Sequence, residues 1–344
     1  MAVHGGPQDP VGDRAQQLRP VAEVPVQAGG VRPQFGGEGS RGSSGTTAAA
    51  RLPAPDFDTI TTEELLTHRK AENRCRAPAA ARAILGESDP DAAIAWQELA
   101  LPGRDLPVRV YRPAAGRSAV LPLVVQRPRQ RVRGDGGAVR PDQRPRRRPT
   151  ARAGRLGRAP PPRPDSPLTD AADDGLDVLD HLLRHADEWG VDEWDADPSR
   201  TAVFSESCGA LIGALTAIRA RRAGSELRAQ VLVNPVVDVT GAAFDHPSMA
   251  AHAATPTLTL PQLRLVRRFA APPGVDTVAV SPLHAADLCG LAPVPVVVPT
   301  RDPVADHGRR YAEPSGCGRR GAPTRLSEDP GAGHAFLTLP GLEP

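Results

Sequence analysis

Residues Val203-Phe204-Ser205-Glu206-Ser207-Cys208-Gly209 carry a short apolar run into a Ser-x-Ser-x-Gly turn, and an alanine- and leucine-rich helical pattern, Ala210 to Ala220, leaves it. Strand, tight turn and helix are the setting of a nucleophile elbow, which lifts one serine hydroxyl above a sheet edge. On this reading Ser207 is the nucleophile, and the backbone N–H of Cys208 points to where an oxyanion would form. A serine hydroxyl needs a base, and the base needs an orienting carboxylate. Acid and histidine follow such an elbow in that order. Asp302 comes just after the apolar run Val294 to Val298, at the carboxyl end of an expected strand. His334 sits in Gly331-Ala332-Gly333-His334-Ala335-Phe336, read as a small-residue loop after the last strand. The expected catalytic set is Ser207, Asp302 and His334, separated by 95 and then 32 residues.

Each assignment has a rival. Taken alone, Ser207 reads more readily as a plain strand-to-helix turn; the ordered Asp and His downstream favour catalysis. Ser205 stands where the first glycine of such a motif usually is, and strain in the elbow is expected. Cys208 is a second nucleophilic atom but adjoins no charged partner, so a buried, inert thiol is expected. Asp306 rivals Asp302. His307, His284 and His252 rival His334, but none has a glycine-flanked terminal loop.

The elements that must position these residues follow from periodicity. Thr61-Thr62-Glu63-Glu64 before Leu65-Leu66 predicts a helix start with acidic residues in the first turn. A second helical stretch is expected over Pro78 to Leu85. Leu99 to Arg112 alternates as a hairpin with its turn at Pro102-Gly103-Arg104-Asp105, and Leu121 to Val125 predicts a buried strand. Ala171 to Gly190 predicts a helix with Leu176, Leu179 and Leu182 or Leu183 on one face. Asp197-Pro198-Ser199-Arg200 is expected to lead into the elbow strand. Ala229 to Val233, Val294 to Val298 and Thr324 to Ser327 predict further strands around a Pro-punctuated helical region. Strands alternating with helices predict an α/β fold, a doubly wound, mostly parallel sheet.

The chain has 344 residues, 40% hydrophobic and 24% charged, enough for one large domain with a substantial core. Lys70 is the single lysine, so almost all positive charge is arginine, a bias expected of a GC-rich genome. Cys75, Cys208, Cys289 and Cys317 are scattered without zinc-type spacing, and reduced thiols in a cytoplasm are the expectation. Residues 1–20 hold no apolar signal-peptide region, and no stretch approaches the roughly 20 apolar residues of a membrane span. Residues 1–55, rich in Gly, Pro, Gln and Ser, are read as disordered, and 56–344 as the folded domain. His4-Gly5-Gly6 lies far upstream of the sheet and is taken as coincidence.

One stretch breaks the pattern. Residues 126–165 hold 13 arginines against three aspartates, and eight prolines. Forty such residues bury too little apolar surface to offset their ordering entropy. A structureless stretch of that length inside a compact domain is abnormal.

Several ordered partial matches resemble the hormone-sensitive-lipase-like group of α/β-hydrolases, the bacterial carboxylesterases of α/β-hydrolase fold-3. They cover roughly 58–125 and 170–340. Leu106-Pro107-Val108-Arg109-Val110-Tyr111-Arg112-Pro113 is similar to that family's second strand. Asn234-Pro235-Val236-Val237-Asp238-Val239-Thr240 is similar to its segment after the elbow helix and next strand. Ser281-Pro282-Leu283, Ala286-Asp287-Leu288 and Gly290-Leu291 resemble its approach to the acid. Asp302-Pro303 with Asp306-His307-Gly308 resembles its Asp-Pro-Leu-x-Asp-Glu-Gly acid loop, and Gly333-His334-Ala335-Phe336-Leu337 its His-Gly-Phe loop. The resemblance implies a serine esterase acting on short acyl esters, an N-terminal helical cap, no metal or organic cofactor, a small-molecule ester substrate and a homodimer in some members.

The chain departs from the family at its oxyanion loop. The family places His-Gly-Gly-Gly after the strand matching Leu121 to Val125, whereas this chain reads Gln126-Arg127-Pro128-Arg129-Gln130. The next strand is also expected to be missing. Residues 126–168 are therefore read as degenerate, an out-of-frame translation of GC-rich codons, with a smaller such patch at Pro314 to Arg320. Resequencing the locus tests this; one unbroken frame in related copies would reject it. Two alternatives stay open: an inactive hydrolase remnant without its oxyanion loop, and a basic protein binding nucleic acid through phosphates.

Overall fold

The computed structural model describes residues 54–76, 92–113, 121–127, 154–158, 170–185, 196–313 and 323–338. The expected disorder at 1–55 lies outside them except for its last two residues. The second helical stretch at 78–85, the stretch 128–153 and the patch 314–320 lie outside them entirely.

Strands β1 (Ala92–Leu101) and β2 (Arg104–Pro113) form the expected hairpin, and Gly103 at φ 77 supplies its turn. Then come β3 (Leu121–Arg127), β4 (Gly154–Arg158), helix α2 (Asp170–Arg184), β5 (Ala196–Glu206) and helix α3 (Cys208–Ala223). They are followed by β6 (Ala229–Val233), α4 (Pro247–Ala251), α5 (Leu260–Ala270), β7 (Val294–Arg301), α6 (Ala305–Ala312) and β8 (Thr324–Gly333). Among the described residues the strands form one sheet in the order β1-β2-β4-β3-β5-β6-β7-β8. From β4 to β8 along this order neighbours run parallel, while β2 runs antiparallel to β1 and β4. This is the α/β, mostly parallel sheet the alternation predicted.

Three boundaries depart from expectation. The strand thought missing after β3 is present: Gly154–Arg158 pairs with β2 and β3 inside the arginine-rich stretch. Ladder pairing uses backbone N–H and C=O groups, so it does not require the apolar side chains that hydrophobicity reads. Asp197 to Arg200 belong to β5 itself, with Asp197 opposite Pro122 of β3. Gly331-Ala332-Gly333 is the end of β8 rather than a loop, so His334 follows the strand directly.

Alternation splits the central strands between two faces. Val203 of β5 joins Val125, Val178, Leu179 and Leu182 in one core, so the apolar stripe of α2 covers that face. Leu232, Val296 and Val298 pack with Ala210, Ala214 and Tyr311. Phe204, Val231 and Val297 turn the other way, toward Ala332 and Phe336. Helix α3 is buried along most of its length, which its run of Gly and Ala permits. Its larger residues Leu211, Ile212 and Leu215 fill a core with Met249, Leu258 and Leu263; each full burial contributes about 1.5–3 kcal/mol.

Helix α1 (Thr62–Arg76) begins on a capping box. The Thr61 N–H donates to Glu64 Oε2 at 2.9 Å, and the Glu64 N–H to Thr61 Oγ1 at 3.2 Å. Leu65, Phe57 and Ile60 pack on Leu265, docking the segment on α5. Arg264 grips Asp58 with two hydrogen bonds of 2.6 and 2.7 Å.

The expectation of reduced thiols holds for Cys208, which is buried and takes no part in a disulfide. It fails for Cys289, which is disulfide-bonded; sequence spacing does not say which loops a fold brings together.

Candidate active site

Ser207 lies between the last residue of β5 and the first of α3, at φ 57 and ψ −126. An L-residue avoids positive φ because its Cβ crowds the backbone carbonyl. Here the backbone is held on three sides: the Ser207 N–H donates to Val233 O at 3.0 Å, and Ser207 O accepts from Ala210 N–H at 2.9 Å and Val236 N–H at 3.2 Å. The expected strain at Ser205 is relieved from the opposite side. A Cβ on Gly213, one helical turn into α3, would stand 2.0 Å from Ser205 Oγ and 2.9 Å from its Cβ. The hydrogen at Gly213 makes the room that the missing glycine at 205 would otherwise have made.

The candidate acid and base come from two further strand ends. Strands β7 and β8 pair in register up to Pro299 and Asp329, then shift so that Arg301 lies opposite Gly333. The next residues out of each strand, Asp302 and His334, are thereby brought side by side. His334 Nδ1 is 2.8 Å from Asp302 Oδ2, and its Nε2 is 2.7 Å from Ser207 Oγ. The second carboxylate oxygen of Asp302 accepts from the Val304 N–H at 3.0 Å. All three side chains are buried, at 1% exposure or less. An ionised carboxylate only accepts, so Nδ1 carries the proton and Nε2 is left to accept from the serine hydroxyl. The arrangement can take a proton from Ser207 and hold the resulting imidazolium against Asp302.

Among the described residues, the non-glycine residues at positive φ are Ser207, Asn234 and Ala335, all at this site. Backbone strain collected at one place marks it as functionally constrained. From the sequence, Asn234 follows the expected strand Ala229 to Val233 and opens a family-like segment, with no role at the site. Its side-chain amide lies 3.5 Å from His334 Nε2, and its buried Oδ1 has no hydrogen-bond partner among the described residues. Asparagine's tolerance of the left-handed region was the available signal.

Of the rivals, Asp306, His284 and His307 are engaged elsewhere, while His252 lines the same cavity as His334. Asp306 accepts from the Ser248 N–H at 2.8 Å and from Arg309 at 2.9 Å. Burial works to raise its carboxyl, but these bonds outweigh it and hold Asp306 below the usual range. His284 lies 3.0 Å from Asp238 Oδ2. Burial likewise acts to raise Asp238, and the Thr240 backbone and His284 bonds bring it down. His307 is 3.4 Å from Ala243 O and stacks edge-on with His246 at 5.3 Å. Burial pushes its imidazole down to about 4. Cys208 Sγ lies 3.9 Å from Ser207 Oγ, and its residue opens α3. Among the described residues no cluster of side chains suited to a metal ion occurs, and no helix is long and apolar enough to cross a membrane.

A cavity of about 620 Å³ adjoins the imidazole, walled by His334, Phe336, Arg301 and the segment Ala250 to Thr257. That is within the size range of small-molecule sites.

The profile of a family described as alpha/beta hydrolase fold matches residues 162–338. Among curated proteins none matches the chain. Solved structures do. An ester-hydrolase, EH1AB1, from the metagenome of Lake Arreo, solved with a bipyridine phosphonate derivative, is 25% identical; the match covers 83% of this chain and 87% of that one, with a TM-score of 0.64. A thermostable esterase from Pseudomonas putida ECU1011 is 21% identical over 84% and 86% of the two chains, with a TM-score of 0.66. An esterase from the archaeon Pyrobaculum calidifontis is 23% identical over 82% and 88%, with a TM-score of 0.63. With its sheet order, its strand–turn–helix elbow and more than half its length matched, the chain belongs to the alpha/beta hydrolase fold family.

Proposed function

We propose that the protein is a serine carboxylesterase that cleaves esters of short acyl chains through a covalent acyl-enzyme. One observation carries this reading: the unbroken buried chain from Ser207 Oγ through His334 to Asp302, at 2.7 and 2.8 Å. Ser207 Oγ attacks the ester carbonyl while its proton passes to His334 Nε2. Asp302 keeps the imidazole in the right tautomer and stabilises the imidazolium. The tetrahedral oxyanion takes a hydrogen bond from the Cys208 N–H. Collapse breaks the ester C–O bond, and His334 returns the proton to the leaving alcohol. Water then attacks the acyl carbon, with His334 again as base, and the acid leaves with Ser207 restored. The neighbours named as esterases support this class of substrate.

Hydrolysis of p-nitrophenyl acetate and butyrate by purified protein, with circular dichroism to establish folding, tests the proposal. Turnover that vanishes in Ser207→Ala is expected. A folded protein with neither turnover nor acylation at Ser207 would overturn it. That outcome would favour the second reading, an inactive remnant, which Gln126-Arg127-Pro128 in place of the family's glycine-rich loop supports.

A further inference from the structure

Arg301 is the last residue of β7, immediately before Asp302, and it belongs to the cavity wall beside His334. It is exposed, and among the described residues no carboxylate forms an ion pair with it. Among the described residues, the cavity wall contains no Asp or Glu, and beyond Arg301 its titratable groups are His252 and His334. An arginine always carries its charge and presents a planar fork of donors suited to a carboxylate. The register shift that seats Asp302 against His334 also places the backbone of Arg301 opposite Gly333.

The side of the ester it would read follows from proton transfer. His334 Nε2 must hand its proton to the leaving oxygen, so the alcohol half lies against the imidazole. His334 is among the residues that wall the cavity and Ser207 is not, so an alcohol half lying against the imidazole would extend into it.

We propose that Arg301 makes this a site for esters whose alcohol half carries an anionic group, a carboxylate held against the guanidinium. The inference rests on the hydrolase reading above. A phenolic carboxylate such as 4-hydroxybenzoate is a suitable leaving group.

The test compares 4-acetoxybenzoate with its neutral methyl ester, methyl 4-acetoxybenzoate, in the parent protein and in Arg301→Gln. Scoring each protein on the same pair cancels the difference in leaving ability. The expected result is that Arg301→Gln lowers the ratio of kcat/KM values roughly fivefold, that added salt lowers it in the parent alone, and that mono(4-nitrophenyl) succinate, anionic on the acyl side, is unaffected. Calorimetric binding of 4-hydroxybenzoate should weaken in Arg301→Gln by a similar factor. Turnover of both esters at a ratio independent of Arg301 would overturn the inference alone. An effect of Arg301 on the succinate ester instead would overturn its placement on the alcohol half. Absence of all turnover, with Arg301-dependent binding retained, would overturn the hydrolase reading and leave the anion site standing.

Discussion

Ser205 and Gly213 occupy one space: the hydroxyl of the strand residue fills the volume that a side chain on the helix residue would need. The hydroxyl can rotate away, but the Ser205 Cβ at 2.9 Å is fixed to the strand. Gly213→Ala is therefore expected to destabilise the protein by about 1–3 kcal/mol, the usual cost of overpacking. It also displaces α3 from β5 and with it Ser207. A shift of ~1 Å at a nucleophile costs about 10² in turnover. Ser205→Gly combined with Gly213→Ala should recover much of both losses. Thermal melts and ester turnover on the three variants check this; equal losses in single and double variants would show that the contact is not the cause.

Asp302→Asn should keep the fold and remove the activity. The amide can donate as well as accept, so it no longer forces the Nδ1–H tautomer that leaves Nε2 free for Ser207. Turnover on the order of 10⁴-fold lower is expected. Asp306→Asn, in contrast, should leave kcat within a small factor of the parent, since Asp306 contacts Ser248 and Arg309 rather than the imidazole. Reversed phenotypes in steady-state assays would move the acid to position 306.

Ala335 holds φ 66 immediately after His334, where the resembled family has glycine. The left-handed region costs a residue with a Cβ roughly 1–2 kcal/mol, partly offset by the added freedom of an unfolded glycine. Ala335→Gly should raise the stability by up to about 1 kcal/mol, seen as a higher Tm. A lower Tm would mean that the buried methyl group contributes more than the strain it imposes.

His307 makes stability fall with acid. Its ordinary value is 6.5, and burial lowers it to about 4 in the folded protein. Above pH 6.5 neither state binds the proton, so this group contributes no pH dependence. Between 6.5 and 4 the unfolded chain takes it up and the folded one does not, so stability drops by about 1.4 kcal/mol per pH unit. Below 4 both states bind it and the dependence ends. His307→Gln should flatten denaturant-unfolding stability across that window. A slope unchanged from the parent would assign the acid sensitivity to other groups.

Much of the site was legible because its signals are short-range. An apolar strand, a Ser-x-Ser-x-Gly turn and an Ala/Leu helix lie within about twenty consecutive residues, and that order alone marks Ser207 as a candidate. Asp302 after a valine-rich run and His334 between small residues were visible in the same way. Strand β4 was not, because Gly-Arg-Leu-Gly-Arg carries no alternation and its place in the sheet is set by backbone pairing with β2 and β3.

The chain order of the candidate nucleophile, acid and base, and the strands that lead into Ser207 and Asp302, were thus properties of the sequence by itself; that β8 runs on to Gly333, directly before His334, was not. Tertiary structure alone decided that they meet. Ser207 and His334 are 127 residues apart, and their hydrogen bond depends on β5, β6, β7 and β8 lying side by side and on the shift between β7 and β8. The fit of Ser205 against Gly213, the approach of Asn234 to the imidazole and the position of Arg301 in the cavity wall have the same origin. Contacts between distant segments follow from strand order and register, which no local pattern of residues encodes.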